Sequence, residues 1–382
     1  MTIDIETRRE IIFGVERFAR DRLGPHVERP ETAIGRGRFA TLVADARSLG
    51  WIAGGAENPY ALWASPDDAA STTTTLSALR VLARTNAGFA FALQMEALGT
   101  HLLAQLGVEP ERTTQLPLFG VQGLGRGAIA RWLATPQEPM RDGDHDELCD
   151  LWLGAEHTVV LAAPEVEQWL VPRFFGGEWT WQLASPLALG AIRDQRPHGL
   201  DELDWWQLGT HGDRGSCIVV PAEGSPTAAT LLSTAVAAPL LAGVAIALGA
   251  IERAFEAALR YSEIRRQGGR RILEHPAVSS LLARSRAALI NAEAIVESPL
   301  ALEAGALERI VALALLHLPA LQQAANDCLQ VFGGLGYMQD AGLEKIVRDV
   351  NAICCAVAPT LSLELMLAAT FGVDTGERRP KE

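Results

Sequence analysis

From residue 1 to about 125 the apolar positions keep helical spacing. Ile11, Val15, Phe18 and Ala19 share one face, and Gly24-Pro25 stops the pattern. A second helix is predicted from Arg38 to Leu49, ended by Gly50. After a loop with Pro59 and Pro66, one of the hydroxyls of Thr72–Thr75 is expected to cap a long apolar helix from Leu76. Asn86 to Gly107 reads as a buried helix. Pro110-Glu111-Arg112 reads as the start of a short polar helix ending near Pro117.

Between about 126 and 222 the period shortens. Short apolar runs (Ala128–Leu133, Thr158–Ala162, Trp169–Val171, Trp179–Leu183 and Cys217–Val220) alternate with Gly, Pro and Asp clusters, as in strands joined by turns. Of the nine Trp, all but Trp51 and Trp63 fall between Trp132 and Trp206. Large aromatics of this kind fill small β cores. From about 226 the helical pattern returns. Thr230 to Tyr261 is Ala-rich and interrupted by Pro239. Glu263 to Arg271 reads as a basic loop, and helices are predicted for Pro276–Glu297, Leu300–Leu329 and Leu343–Phe371. The fold class is therefore α+β multidomain. The expected units are an N-terminal helical domain (1–125), a middle β domain (126–225) and a C-terminal helical bundle (226–382).

Composition narrows the function classes. The chain of 382 residues is 48% hydrophobic, enough for a substantial core. A net charge of -13 argues against a nucleic-acid partner, which needs clustered cations. Cys149, Cys217, Cys328, Cys354 and Cys355 form no CxxC pair, and their number is odd. The acidic N-terminus has no apolar core of a signal peptide, so a reduced, cytoplasmic protein is expected. Ala235–Ile251 carries no charge, but it contains Pro239 and is short for a membrane span; a buried helix is the expectation. The eight His show no metal spacing, and Asp142-Gly-Asp-His-Asp-Glu misses the calcium-loop pattern, so no metal is expected.

The most informative stretch is Cys328 to Pro359. A helix runs into Gln330-Val-Phe-Gly-Gly-Leu-Gly-Tyr, where glycines break it, and a new helix starts near Gly342. Such a turn bares backbone amides that an anionic group could approach.

These residues, with Glu344 and Arg348-Asp349, resemble the C-terminal signature of the acyl-CoA dehydrogenase family. Tyr261-Ser-Glu-Ile-Arg-Arg-Gln-Gly-Gly is similar to that family's Arg-x-x-Phe-Gly loop, with Arg265 and Gly269 retained. Leu103 to Pro117 resembles its lead-in to the β domain, and Ala134-Thr-Pro its Thr-Glu-Pro. The resemblance implies a middle β-barrel-like domain, a C-terminal four-helix bundle, and FAD held between them and a neighbouring subunit. It implies that Arg265 meets the FAD pyrophosphate of the neighbouring subunit, that Gln330, Gly333 and Gly334 line the adenosine and pyrophosphate path, and that Thr135 faces the flavin ring. A guanidinium suits bidentate phosphate binding.

The departures bear on the chemistry. The family's base is a Glu eight residues after its Arg-Asp pair; here that position is Val357, and Glu364 lies two turns on. The alternative base position, early in the bundle, is Pro239, followed by Leu240. Desaturation of a thioester needs an acceptor for the α-proton, worth about 10²–10⁴-fold in rate. Valine cannot serve. Cys354 and Cys355 read as core residues. Gly268 replaces the family's Phe, Gln137-Glu-Pro-Met-Arg its Gly-Ser-Asp, and Thr158-Val-Val-Leu its Trp-Ile-Thr strand, so FAD retention is open. The expectation is an FAD-dependent oxidoreductase acting on an acyl thioester, on CoA or a carrier protein. The alternatives are a non-catalytic partner subunit of a heteromeric dehydrogenase and a flavin monooxygenase of the same fold. A homodimer or homotetramer is expected, or a heteromer with a homologue, with no nucleic acid or membrane partner.

Overall fold

The computed structural model describes residues 3–27, 32–53, 58–109, 113–116, 118–119, 130–132, 159–164, 166–175, 178–194, 198–208, 217–219, 228–303, 305–357 and 359–371. Four helices come first: α1 (Ile5–Phe18), α2 (Arg36–Ser48), α3 (Ala69–Thr85) and α4 (Ala87–Gln105). Asp4, Asp68 and Asn86 cap α1, α3 and α4, accepting from Thr7, Ser71 and Phe89 amides at 2.7, 2.8 and 2.7 Å. The Thr run expected to cap α3 lies inside it instead. The hydroxyls of Thr73 and Thr74 donate back to the Ala69 and Ala70 carbonyls at 2.6 and 2.7 Å. Every residue of α4 from Ala87 to Leu103 is buried, so this helix is the centre around which the rest packs.

Among the described residues eight strands follow. β1 (Thr114–Gln115), β4 (Gln168–Phe175), β5 (Glu178–Ala184) and β8 (Cys217–Val219) form one sheet in the order β1-β4-β5-β8. β2 (Leu118–Phe119), β3 (Val159–Ala162), β7 (Asp204–Leu208) and β6 (Ala191–Asp194) form a second, ordered β2-β3-β7-β6. Trp169 is fully buried and meets Trp206 of the second sheet edge-to-face at 5.7 Å. Three sequence expectations change here. The polar helix expected up to Pro117 contains a strand: β1 pairs parallel with β4, and the Leu116 amide donates to the Met95 carbonyl at 3.0 Å. Pro110–Arg112 lie outside the described residues. Ala130, Arg131 and Trp132, read as part of a strand, are helical. β6 and β7 were not legible, because β6 is exposed beyond its first residue and shows no apolar run.

The remaining helices are α5 (Ala228–Ile264), α6 (Pro276–Val296), α7 (Ala306–Phe332), α8 (Leu343–Val357) and α9 (Thr360–Ala369). α5 runs straight through Pro239. α5 and the α8–α9 stretch are long and apolar enough to cross a membrane by length and composition, but 83% of the α5 window is buried inside the protein. α7 starts at Ala306 instead of Leu300, since the Leu302 amide is bound to the Pro66 carbonyl at 2.7 Å. The last expected helix is two: Pro359 stands at the N-cap of α9, where its lack of an amide costs nothing. The basic loop is a small hairpin, β9 (Arg266–Gln267) with β10 (Arg270–Arg271). Its two-residue turn, Gly268-Gly269, has φ of +60° and +82°, the left-handed pair such a turn demands.

Candidate functional site

Two regions of the bundle carry the residues singled out by sequence. The first is the hairpin and the end of α7. Tyr261, near the end of α5, stacks on Phe332, the last residue of α7, with ring centroids 4.3 Å apart and planes 10° off parallel. The stack holds the Arg265 hairpin beside the glycine turn, a 3-10 segment over Gly333–Tyr337. The Arg265 amide donates to the Tyr261 carbonyl at 2.9 Å, and its carbonyl accepts from Ile272 at 2.8 Å, which fixes the backbone and leaves the side chain exposed. Among the described residues the Arg265 guanidinium has no carboxylate partner. Gln330 and Gly334 are exposed too, and a Cβ on Gly333 or Gly334 would meet open space. An uncompensated guanidinium on the hairpin held at the end of α7, with no Cβ on Gly333 or Gly334 to block a close approach, suits a diphosphate, so these residues fit the FAD that the fold implies. Thr135 lies outside the described residues.

The second region surrounds Val357. It ends α8 and is 1% exposed. A Cβ placed on Gly243 of α5 would lie 3.0 and 3.2 Å from its two methyls, so the valine sits flush against glycine backbone. Pro239 is one turn before Gly243 and therefore on the same side of α5; Leu240 is 1% exposed. Both positions where the resemblance would put a base thus lie in one apolar contact between α5 and α8. Glu364 is exposed on α9.

A polar anchor sets the height of α8. The buried Lys345 ammonium lies 2.7 Å from Asp349 and 3.3 Å from Glu202. Glu202 also accepts from Asn86 at 2.8 Å, and Asp349 from the Leu200 amide at 2.7 Å. Arg348 bridges Glu344 and Asp201, each at 2.7 Å. Gly199, with φ +129°, lets its chain pass so close to α8 that a Cβ would be 2.3 Å from the Arg348 carbonyl. Burial raises the Asp349 carboxyl to about 6, opposed by the Lys345 charge. The carboxylates of Lys345's partners raise the ammonium above its usual range despite burial. Sequence reasoning used Arg348-Asp349 only as a motif and missed Glu202, Asn86 and Lys345. The signal was present: Lys345 is one of only two lysines in the chain, and it stands four residues before Asp349 in one helix.

The buried carboxylates among the described residues are Glu96, Glu202, Asp204, Asp327 and Asp349. Each is committed to a cation: Glu96 to Arg47 at 2.5 Å, Asp204 to Arg36 at 2.6 Å, Asp327 to Arg284 at 3.1 Å, and the other two to Lys345. Cys354 is half-buried with its thiol pushed up to about 12 by desolvation, so it holds its proton. Cys355, read from sequence as core, is exposed, because it lies on the α8 face turned from α5.

Comparison with known proteins agrees with this geometry. Residues 241–354 match the family described as acyl-CoA dehydrogenase, C-terminal domain. The chain is 34% identical over 110 residues to cyclohexane-1-carbonyl-CoA dehydrogenase of Geobacter metallireducens, a stretch covering 28% of each chain. It is 31% identical over 138 residues to 3-sulfinopropanoyl-CoA desulfinase of Paraburkholderia xenovorans, 35% of each. The matched stretches thus span about a third or less of these relatives. A glutaryl-CoA dehydrogenase from Mycobacterium smegmatis, solved in complex with FADH2, superposes with TM-score 0.65 at 14% identity over 98% of this chain and 97% of that one. The chain therefore has the acyl-CoA dehydrogenase fold, and residues 241–354 match the model of that family's C-terminal domain.

Proposed function

We propose that the chain is an acyl-CoA dehydrogenase-like flavoprotein acting on an acyl thioester, carried on CoA or a carrier protein, in which Val357 replaces the ordinary proton acceptor. The observation that carries this reading is the Val357–Gly243 contact, flanked by Leu240, with no uncommitted buried carboxylate among the described residues. Arg265, Gln330, Gly333 and Gly334 would hold the FAD diphosphate and adenosine. FAD, when bound, supplies a hydride acceptor. The α5–α8 contact excludes water and offers no group that can take an α-proton, and Cys354 stays a thiol. Loss of general-base help slows proton removal by about 10²–10⁴-fold. The assembly proposed is a homodimer or homotetramer in the cytoplasm.

The test is FAD stoichiometry followed by anaerobic mixing with saturated acyl-CoAs. The expected result is a yellow protein that binds thioester and bleaches slowly. Colourless protein that takes up no added FAD would remove the flavoprotein reading. Bleaching as fast as in base-bearing relatives would remove the claim about Val357. Stable co-purification with a second homologue would favour the non-catalytic partner. Bleaching by reduced external flavin alone would favour a monooxygenase.

A further inference from the structure

A cavity of about 40 Å³ opens where the α3–α4 corner, α5, the 199–204 segment and the first half of α8 meet. It is separate from both regions described above. By helical rise Lys345 stands about 18 Å along α8 from Val357, and Arg253 about 17 Å before the end of α5, which carries the Arg265 hairpin. At about 10–15 Å³ for each water, the cavity holds about three water molecules. That is room for one small ion and none for a flavin.

The charged side chains that line it are Arg84, Arg253, Lys345, Glu202 and Asp349. Both carboxylates are already filled. Glu202 accepts from Asn86 at 2.8 Å and from Lys345 at 3.3 Å, and Asp349 accepts from the Leu200 amide and from Lys345, each at 2.7 Å. Arg84 is paired with Glu256 of α5. Arg253 stands differently. Its guanidinium donates to the Thr85 carbonyl at 3.0 Å, and among the described residues it has no carboxylate partner. A carbonyl occupies one of its five N–H groups and cancels none of its charge. The same bond holds the guanidinium against the end of α3, so little ordering is left to be done when an ion arrives.

We propose that this cavity binds a single tetrahedral oxyanion of the phosphate or sulfate class, held by Arg253 with Arg84 beside it. A guanidinium presents two parallel N–H groups, which match two oxygens of such an ion. The lining carries three cations against two carboxylates, a positive excess before any ion enters. A metal ion finds no free oxygen there, because Lys345, Asn86 and the Leu200 amide hold both carboxylates. Arg84 belongs to α3 and Arg253 to α5, so the bound ion ties the N-terminal helices to the bundle.

The test is calorimetry of the protein as purified with sodium sulfate and sodium phosphate, against sodium chloride at matched ionic strength. One saturable oxyanion site per chain is expected, with no saturable heat from chloride. Arg253→Gln is expected to weaken sulfate binding by about tenfold or more, the loss of a charge-assisted contact. Arg84→Gln, an exchange of an exposed side chain, is expected to weaken it by about threefold and serves as the second variant if Arg253→Gln does not fold. Arg265→Gln is expected to leave sulfate affinity unchanged. Loss of binding in Arg265→Gln with retention in Arg253→Gln puts the ion at the hairpin and overturns the inference. So does the absence of saturable sulfate and phosphate heat, or equal sulfate affinity in the wild type and both cavity variants. Phenyl phosphate separates the sources of the group. Affinity equal to that of phosphate supports a free ion in the cavity, and tighter binding supports the end of a phosphate ester in the same place. None of these outcomes bears on the thioester reading.

Discussion

Val357 at the end of α8 and Gly243 in α5 are matched in shape: the space beside the glycine backbone is filled by the two valine methyls. A side chain at one position therefore limits the other, and two helices far apart in sequence are set at a close approach. Gly243→Ala is expected to destabilise by about 1 kcal/mol, the cost of overpacking less the helix propensity gained. In a Val357→Ala background the same change is expected to be neutral or stabilising. A double-mutant cycle by urea unfolding measures this coupling.

Val357→Glu places a carboxylate where no cation or hydrogen-bond donor waits. It is expected to cost about 3 kcal/mol or more and not to restore desaturation, since the carboxyl would stay protonated in this apolar contact. The check is denaturation together with anaerobic flavin reduction by butyryl- and octanoyl-CoA. A single variant that desaturates either would sink the idea.

Lys345 neutralises Glu202 and Asp349 at the junction of α4, the 199–204 corner and α8. Lys345→Met leaves two buried carboxylates without a counter-charge. A loss of about 3–5 kcal/mol is expected in urea unfolding. Exchanging all three residues for apolar ones of similar size is expected to recover most of it.

Two buried groups give opposite pH slopes. His101 takes up a proton near 6.5 when unfolded but only near 4 when folded, because burial disfavours the imidazolium. Its contribution is present above pH 6.5 and is lost as pH falls toward 4, by up to about 3 kcal/mol. Asp349 runs the other way. Its folded value of about 6 lies above the 3.8 of a free carboxyl, so its contribution is present below 3.8 and is lost as pH rises through 6. In His101→Leu the decline in stability between pH 6.5 and 4 is expected to be shallower than in the wild type. Denaturation midpoints across that range provide the measurement.

Arg265 is exposed and makes no ion pair among the described residues, so the fold loses little without it. Arg265→Ala is expected to change the stability of the cofactor-free chain by less than about 0.5 kcal/mol. It is expected to weaken FAD binding by about tenfold or more, one charge-assisted contact. Fluorescence titration with FAD separates the two effects.

Local pattern was enough for the long helices and for the texture change between them, because both depend on spacing that repeats over several turns. Asp68 was missed as the cap of α3 because the Thr run that follows it offered the same chemistry one to two turns later. β1 was read as helix because its polar residues make a strand only when β4 and the Met95 carbonyl are there to pair with it. The motif around Gly333 and the absence of a carboxylate at Val357 could be read off the chain directly, since both are statements about residue type.

What the chain order alone determined is the helix–strand–helix plan, the hydrocarbon at 357, and the glycine turn that ends α7. What only the tertiary structure decided is which residues face one another. Gly243 lies 114 positions from Val357 in the chain, counting from their numbers, and Glu202 lies 143 from Lys345. A buried charge and a close contact between two helices are properties of surroundings, and surroundings are assembled by packing between distant segments, which no local period records.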